Sequence, residues 1–271
     1  MPQRSLGRLI YRLARSRRDW IKRLLIGFFH RAYRIDLDEA EIADPHAYAS
    51  FNAYFTRALK AGARPIEGDD DVVVSPVDGR LTEFGTLDGD RLLQAKGMHY
   101  SLAELLDDDP ERVAALTGGA FMTIYLAPHN YHRVHTPIAG TFDRTRYIAG
   151  RRFSVNEATA RSIAKLFCIN ERAALWLSTR IGPSVVVMVG ALNVASLTTV
   201  AHGEIQSGAS RLLDDEPLAL ARGDELGRFN LGSTIVLLLP RDRVDWLDSL
   251  TAGQTVAMGQ AIGRLRRPAD K

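Results

Sequence analysis

Four short runs of β-branched and aliphatic residues, at 72–74, 121–126, 185–189 and 234–239, constrain this fold more than any other feature of the chain. Each is bounded nearby by Gly or Pro and is too short for a buried helix, so each reads as a strand. Short helices are expected at 101–106, with Ser101 as cap and Glu104 at the capping-box position, and at 241–250. Asp44-Pro45 suggests the start of another over 44–60, which would bring Tyr48, Phe51, Tyr54 and Phe55 together. Residues 61–65 read as a linker. The expected class is α+β: N-terminal amphipathic helices on a mostly antiparallel β domain.

Charge divides the chain the same way. Residues 1–34 hold ten Lys or Arg and one acid, Asp19, a net of +9 that leaves −6 for the remainder of a chain totalling +3. Leu6, Leu9, Ile10 and Leu13 lie on one helical face, with Arg4, Arg8, Arg12 and Arg15 opposite. Trp20, Ile21, Leu24, Leu25, Phe28 and Phe29 repeat the stripe. The apolar run 24–29 is far shorter than the roughly 18–20 residues a spanning helix needs, and short for a signal peptide's apolar core. Basic amphipathic helices with aromatic residues suit an anionic lipid surface, and Arg8, Arg12, Arg15, Trp20, Leu24 and Phe28 are the expected contacts. Packing on the main domain is the alternative; no nucleic-acid-binding motif is present. The one cysteine, Cys168, excludes a disulfide framework or a multi-cysteine zinc site and reads as a structural thiol.

Three segments carry candidate chemistry. Ser75-Pro76-Val77-Asp78-Gly79 by itself reads as a turn. The stretch 127–137 holds His129, His132 and His135; without a nearby carboxylate at a familiar spacing, acid–base work is favoured over a metal site. Gly227 to Thr234 ends in Leu231-Gly232-Ser233-Thr234 before a strand, and lacks the second glycine of a hydrolase nucleophile elbow.

Taken together, with Phe51 to Arg57, Tyr131 to His135 and Asn170-Glu171-Arg172, these elements resemble the phosphatidylserine decarboxylase family, pyruvoyl-dependent lipid enzymes, over nearly the whole chain. The resemblance implies a self-cleaving triad of Asp78, His135 and Ser233, with His132 assisting decarboxylation and no role for His129. It implies cutting between Gly232 and Ser233, giving a β chain of 1–232 and an α chain of 233–271. The new terminus at Ser233 becomes a pyruvoyl group that forms a Schiff base with phosphatidylserine and releases CO2, leaving phosphatidylethanolamine. It further implies a barrel-sandwich-like core, a homodimer of β/α units, and a peripheral place on the cytoplasmic side of the cell membrane. The expected division is a membrane-associating region at 1–64 and a catalytic domain at 65–271. A decarboxylase for another serine lipid, a serine hydrolase using the same three residues, and a non-enzymatic membrane adaptor are the competing readings.

Overall fold

The computed structural model describes residues 3–95, 97–191, 196–230 and 233–266, the side chains of 3–8, 214, 215 and 233 excepted. Its centre is strand Ser233–Leu239, in which Ile235 through Leu239 are fully buried. It pairs antiparallel with Ala120–Leu126 on one side and Gly182–Gly190 on the other. Five more strands complete an open eight-stranded antiparallel sheet in the order Arg211–Leu220, Gly140–Ile148, Arg172–Thr179, Gly182–Gly190, Ser233–Leu239, Ala120–Leu126, Gly79–Thr86 and Thr255–Val256. The central strands are apolar at successive positions rather than alternate ones, because both faces of the sheet are covered there.

Two smaller sheets hold the candidate site's other segments. Arg133–His135 forms the edge of a four-stranded sheet with Glu225–Phe229, Leu197–Thr199 and Gly203–Ile205. Val72–Val74, Ala261–Leu265 and Val244–Trp246 form a three-stranded sheet. The glycine-punctuated stretch 252–263 thus contributes strands to two sheets, with Gly253 and Gly259 at the left-handed φ that such corners need. The α+β expectation holds, with open sheets.

Local corrections follow from turn chemistry. The helix expected over 241–250 is instead strand Val244–Trp246, because Asp242 at φ 56° turns the chain after Pro240. The helix expected over 44–60 shrinks to α3, Phe51–Phe55, capped by the Ser50 hydroxyl accepting from the Ala53 N–H. Asp44 caps a turn at His46 instead, and buried Tyr48 donates to the Ile42 carbonyl, bending the chain where a helix would run straight. The capping box at Ser101 and Glu104 forms as expected, opening helix Leu102–Leu106.

Helices α1, Gln3–Ala14, and α2, Asp19–Tyr33, pack with α3 around a separate apolar cluster that includes Ala14, Ile26, Ile35, Tyr48, Tyr54 and Phe55. The apolar stripe expected on α2 is divided between two faces. Ile26 is fully buried and Leu25 and Phe29 pack on the cluster, whereas Trp20, Leu24 and Phe28 are 67%, 65% and 72% exposed. No helix among the described residues is long and apolar enough to cross a membrane.

Truncation separates the two faces. Ile26→Ala should destabilise the arm by about 2–4 kcal/mol, whereas Leu24→Ala should stay within about 0.5 kcal/mol. Amide hydrogen exchange over residues 19–33 reads the difference; equal loss of protection in both variants would contradict this packing.

Candidate functional site

The loop at 127–132, the segment at 75–79 and the start of strand Ser233–Leu239 converge beneath the helical arm. Ser233 is fixed through its backbone, with Leu126 and Gly190 as cross-strand partners. Asn170, from the Asn-Glu-Arg stretch, donates its side-chain N–H to the Gly190 carbonyl at 2.9 Å and so braces that neighbour. Gly232 lies outside the described residues.

His135 ends strand Arg133–His135 and is 8% exposed. Its backbone N–H donates to the Pro76 carbonyl at 2.8 Å, tying the histidine strand to the segment carrying Asp78. The ring is held at both nitrogens. Nδ1 lies 2.7 Å from the Gly223 carbonyl, an acceptor only, so the proton sits on Nδ1. Nε2 therefore accepts from the Tyr131 hydroxyl at 3.0 Å. Burial holds this imidazole's pKa below its ordinary value, opposed by the Gly223 carbonyl and by the charges of Glu225 and Asp78. Gly223 has φ 90°, and a Cβ there would lie 2.4 Å from Ile66 Cδ1, so only glycine presents its carbonyl in this way.

Asp78 is brought close but is engaged elsewhere. Arg64 grips its carboxylate with two hydrogen bonds of 2.9 and 2.7 Å, and the Met258 N–H donates to Oδ1 at 2.8 Å. Arg64 also reaches Glu39 at 2.7 Å. Asp78, which the resemblance groups with His135, instead forms an ion pair with a residue that reads as linker in the sequence. Gly79 next to it is required by close approach, since a Cβ would lie 2.6 Å from the Tyr125 carbonyl oxygen.

His132 occupies a different environment. It is fully buried and stacks on Phe55 with ring centroids 4.0 Å apart and planes inclined by 22°. The Ala127 and Pro128 carbonyls lie near the ring, yet neither ring nitrogen reaches good hydrogen-bond geometry with a described residue. Its pKa is pushed down to about 3, chiefly by burial and then by the positive charge of Arg57, with the Pro128 and Ala127 carbonyls opposing. The His132 carbonyl accepts from the Phe229 N–H at 3.0 Å, placing it beside the strand that leads to Ser233. His129 is exposed, and its carbonyl accepts from Arg57 at 3.0 Å. The three histidines take three separate stations, and no metal-binding cluster occurs among the described residues.

A cavity of about 370 Å³ opens between arm and sheet, lined by Tyr33, Arg57, Arg64, Asp78, His129 and Tyr131 among others. Tyr131 and Arg64 are the functional neighbours that residue-by-residue reading passes over; Tyr131 at least stands inside the Tyr-His-Arg-Val-His motif. Cys168 is half-buried and its thiol is pushed up to about 12 by burial, which keeps it protonated and inert.

Of the expected lipid contacts, Trp20, Leu24, Phe28 and Arg12 are exposed on the arm. Arg15 is not: it turns inward to Glu204 at 2.7 Å and Ser196 at 3.1 Å. The side chain of Arg8 lies outside the described atoms.

A family model described as phosphatidylserine decarboxylase matches residues 51–264, and a second, described as PSD, matches residues 1–34. Proteins named phosphatidylserine decarboxylase proenzyme are similar over nearly their whole length. One from Ectopseudomonas mendocina (strain ymp) is 46% identical over 270 residues, covering 97% of this chain and 94% of the relative. One from Halorhodospira halophila (strain DSM 244 / SL1) is 47% identical, covering 98% of this chain and 92% of its own.

The His132 environment has a measurable consequence. Its folded pKa of about 3 lies below the ordinary 6.5, so the unfolded chain takes up this proton first as pH falls. Stability is therefore lost progressively between pH 6.5 and about 3. His132→Phe keeps the stack on Phe55 and removes the linkage, so its thermal midpoint should fall less steeply over that window. Equal slopes for variant and parent would mean that His132 is charged in the fold.

Proposed function

Because this chain belongs to the phosphatidylserine decarboxylase family, we propose that it removes the head-group carboxylate of phosphatidylserine as CO2 and leaves phosphatidylethanolamine. The observation that carries the reading is the position of Ser233 at the head of the central strand, in a chain matched by that family over residues 51–264. Its relatives are named proenzymes, which supports a cut between Gly232 and Ser233 into a β chain of 1–232 and an α chain of 233–271.

In the proposed cut the Ser233 hydroxyl gives up its proton and its oxygen adds to the Gly232 carbonyl carbon, turning peptide into ester. His135 is the base. Its Nδ1–H, fixed on Gly223, leaves Nε2 as the nitrogen with a free lone pair, and Tyr131 has to yield that lone pair first. Asp78 acts on His135 through its charge while Arg64 holds it, and becomes a direct partner only on release. Elimination of the ester then frees the Gly232 carboxylate, and water converts the residue at 233 to a pyruvoyl group with loss of ammonia.

The surroundings fit that group. His132 is a fully buried imidazole without a hydrogen-bond partner among the described residues, next to the loop that follows the cross-strand neighbour of Ser233. Such a group is satisfied by a polar reactant. The pyruvoyl group supplies an electrophilic ketone and an electron sink for the bond to the departing carboxylate. His132, held neutral, can relay a proton to the substrate's α-carbon, one ring nitrogen taking a proton from water as the other gives its own up.

The arm supports a peripheral place on an anionic membrane surface; the cytoplasmic side rests on the family alone. Trp20, Leu24 and Phe28 follow one another at i, i+4 and i+8 on the exposed side of α2, and Leu9 and Leu13 are 54% and 37% exposed on α1. The separate apolar cluster of the arm supports a membrane-associating region at 1–64 and a catalytic domain at 65–271. Family membership supports a homodimer of cut β/α units.

Intact-mass spectrometry of the denatured protein should give two species meeting at 232/233, the shorter with a pyruvoyl terminus. His135→Ala and Asp78→Ala should remain single chains, and His132→Ala should be cut yet release no CO2. Normal turnover in the last would remove the role given to His132. Sedimentation with vesicles containing anionic lipid should recover the parent protein, and Trp20→Ala/Leu24→Ala/Phe28→Ala should lose at least about tenfold in partitioning; unchanged sedimentation would place lipid contact elsewhere.

A further inference from the structure

We infer that Asn230 and Arg15 are positioning residues for the self-cut, joined by a polar relay, Arg15–Glu204–Ser196–Asn230, that ties α1 to the backbone preceding the scissile bond. The inference rests on the self-cutting reading above.

Asn230 is 2% exposed, and its hydrogen-bonding capacity is spent on fixing it. Its side-chain nitrogen donates to the Ser196 hydroxyl at 2.9 Å and the Thr198 hydroxyl at 2.8 Å. Its side-chain oxygen accepts from Asn52 of α3 at 3.1 Å, and its backbone N–H donates to the Ser196 carbonyl at 3.1 Å. The Ser196 hydroxyl donates in turn to Glu204 at 2.5 Å. Arg15, at the end of α1, donates to both, at 2.7 Å to Glu204 and 3.1 Å to Ser196, with its guanidinium over the Tyr11 ring.

The second anchor lies three residues on. Ser233 is held by strand partners on both sides, and Asn170 braces one of those partners. Three residues span at most about 10–11 Å, so a displacement at Asn230 has little chain in which to dissipate before the bond to be cut. Attack of a side chain on its own preceding carbonyl depends on near-attack geometry, in which an error of about 1 Å can cost as much as 100-fold. Arg15 and Glu204 are 23% and 27% exposed at their side chains, a setting where an ion pair adds little stability while still fixing a geometry. The arm thereby fixes Asn230 on the amino side of the bond to be cut, and the sheet fixes the backbone of Ser233 on the other.

The test is a time course of conversion from one chain to two after cell-free synthesis of the full chain. Arg15→Ala and Asn230→Ala should each convert about tenfold more slowly than the parent. Arg15→Glu should be slow, and Arg15→Glu combined with Glu204→Arg should recover the parent rate within about threefold. The Arg15 and Glu204 substitutions placed on Ser233→Ala, which cannot mature, should leave the thermal midpoint nearly unchanged, because this ion pair is partly exposed. Conversion of Arg15→Ala at the parent rate would overturn the relay. So would slow conversion that charge reversal does not restore, or a large fall in thermal midpoint alongside it. Cutting at 232/233 that persists in Ser233→Ala would instead remove the self-cutting reading on which the relay depends.

Discussion

The double hydrogen-bonded pairing of strand Ser233–Leu239 is the constraint on which the rest of the structure depends. A strand hydrogen-bonded on both sides has its register fixed by both neighbours at once, because a slip would break two ladders and repack side chains on both covered faces. The backbone of the residue at its head is therefore held from both sides. The same pairing answers what becomes of a chain cut at 232/233. The 39 residues beyond the cut keep this strand in the eight-stranded sheet, Thr255–Val256 at that sheet's edge, and Val244–Trp246 and Ala261–Leu265 in another. Separation would require tearing out the centre of the core.

Around that fixed point the titratable groups are differentiated by environment rather than by type. His135 is held at both nitrogens and lies within the field of Asp78 and Glu225. His132 has an aromatic face and no hydrogen bond to a described residue, and it is driven further from the charged form. Two imidazoles three residues apart thus acquire different protonation behaviour, which is compatible with the separate roles proposed for them. Arg64 adds a third level of control, since a carboxylate held by two charge-assisted hydrogen bonds is a weak partner for anything else.

Legibility in the sequence followed burial. The strands at 72–74, 121–126, 185–189 and 234–239 could be read directly because fully buried strands are written as unbroken apolar runs. Strands Gly140–Ile148 and Arg211–Leu220 could not, since Arg144, Arg146 and Arg211 interrupt them where the sheet nears its edge and long side chains reach water or partners such as Asp107 and Asp108. At the site, Asp78, His132, His135 and Ser233 were readable only as a combination, each being ambiguous alone. Arg64 was not readable at all: it lies in a glycine- and alanine-containing linker, and the partner that gives it meaning is fourteen residues away across a change of structure. Arg15 misled for a similar reason. Its helical spacing places it with Arg8 and Arg12, and only tertiary contact with Glu204 turns it inward.

The two-faced arm links these levels. On its outer side α2 presents Trp20, Leu24 and Phe28; on its inner side Phe29 meets Phe55 at 5.7 Å between ring centroids, and Phe55 stacks on His132 at 4.0 Å. A helix with its side chains is about 10–12 Å across. A lipid surface touching the outer face of α2 therefore lies roughly one helix diameter plus one aromatic layer from the buried imidazole. On the proposed reading the arm's own apolar cluster would matter here, because a packed helix, unlike a mobile tether, fixes a distance between its outer face and the buried imidazole.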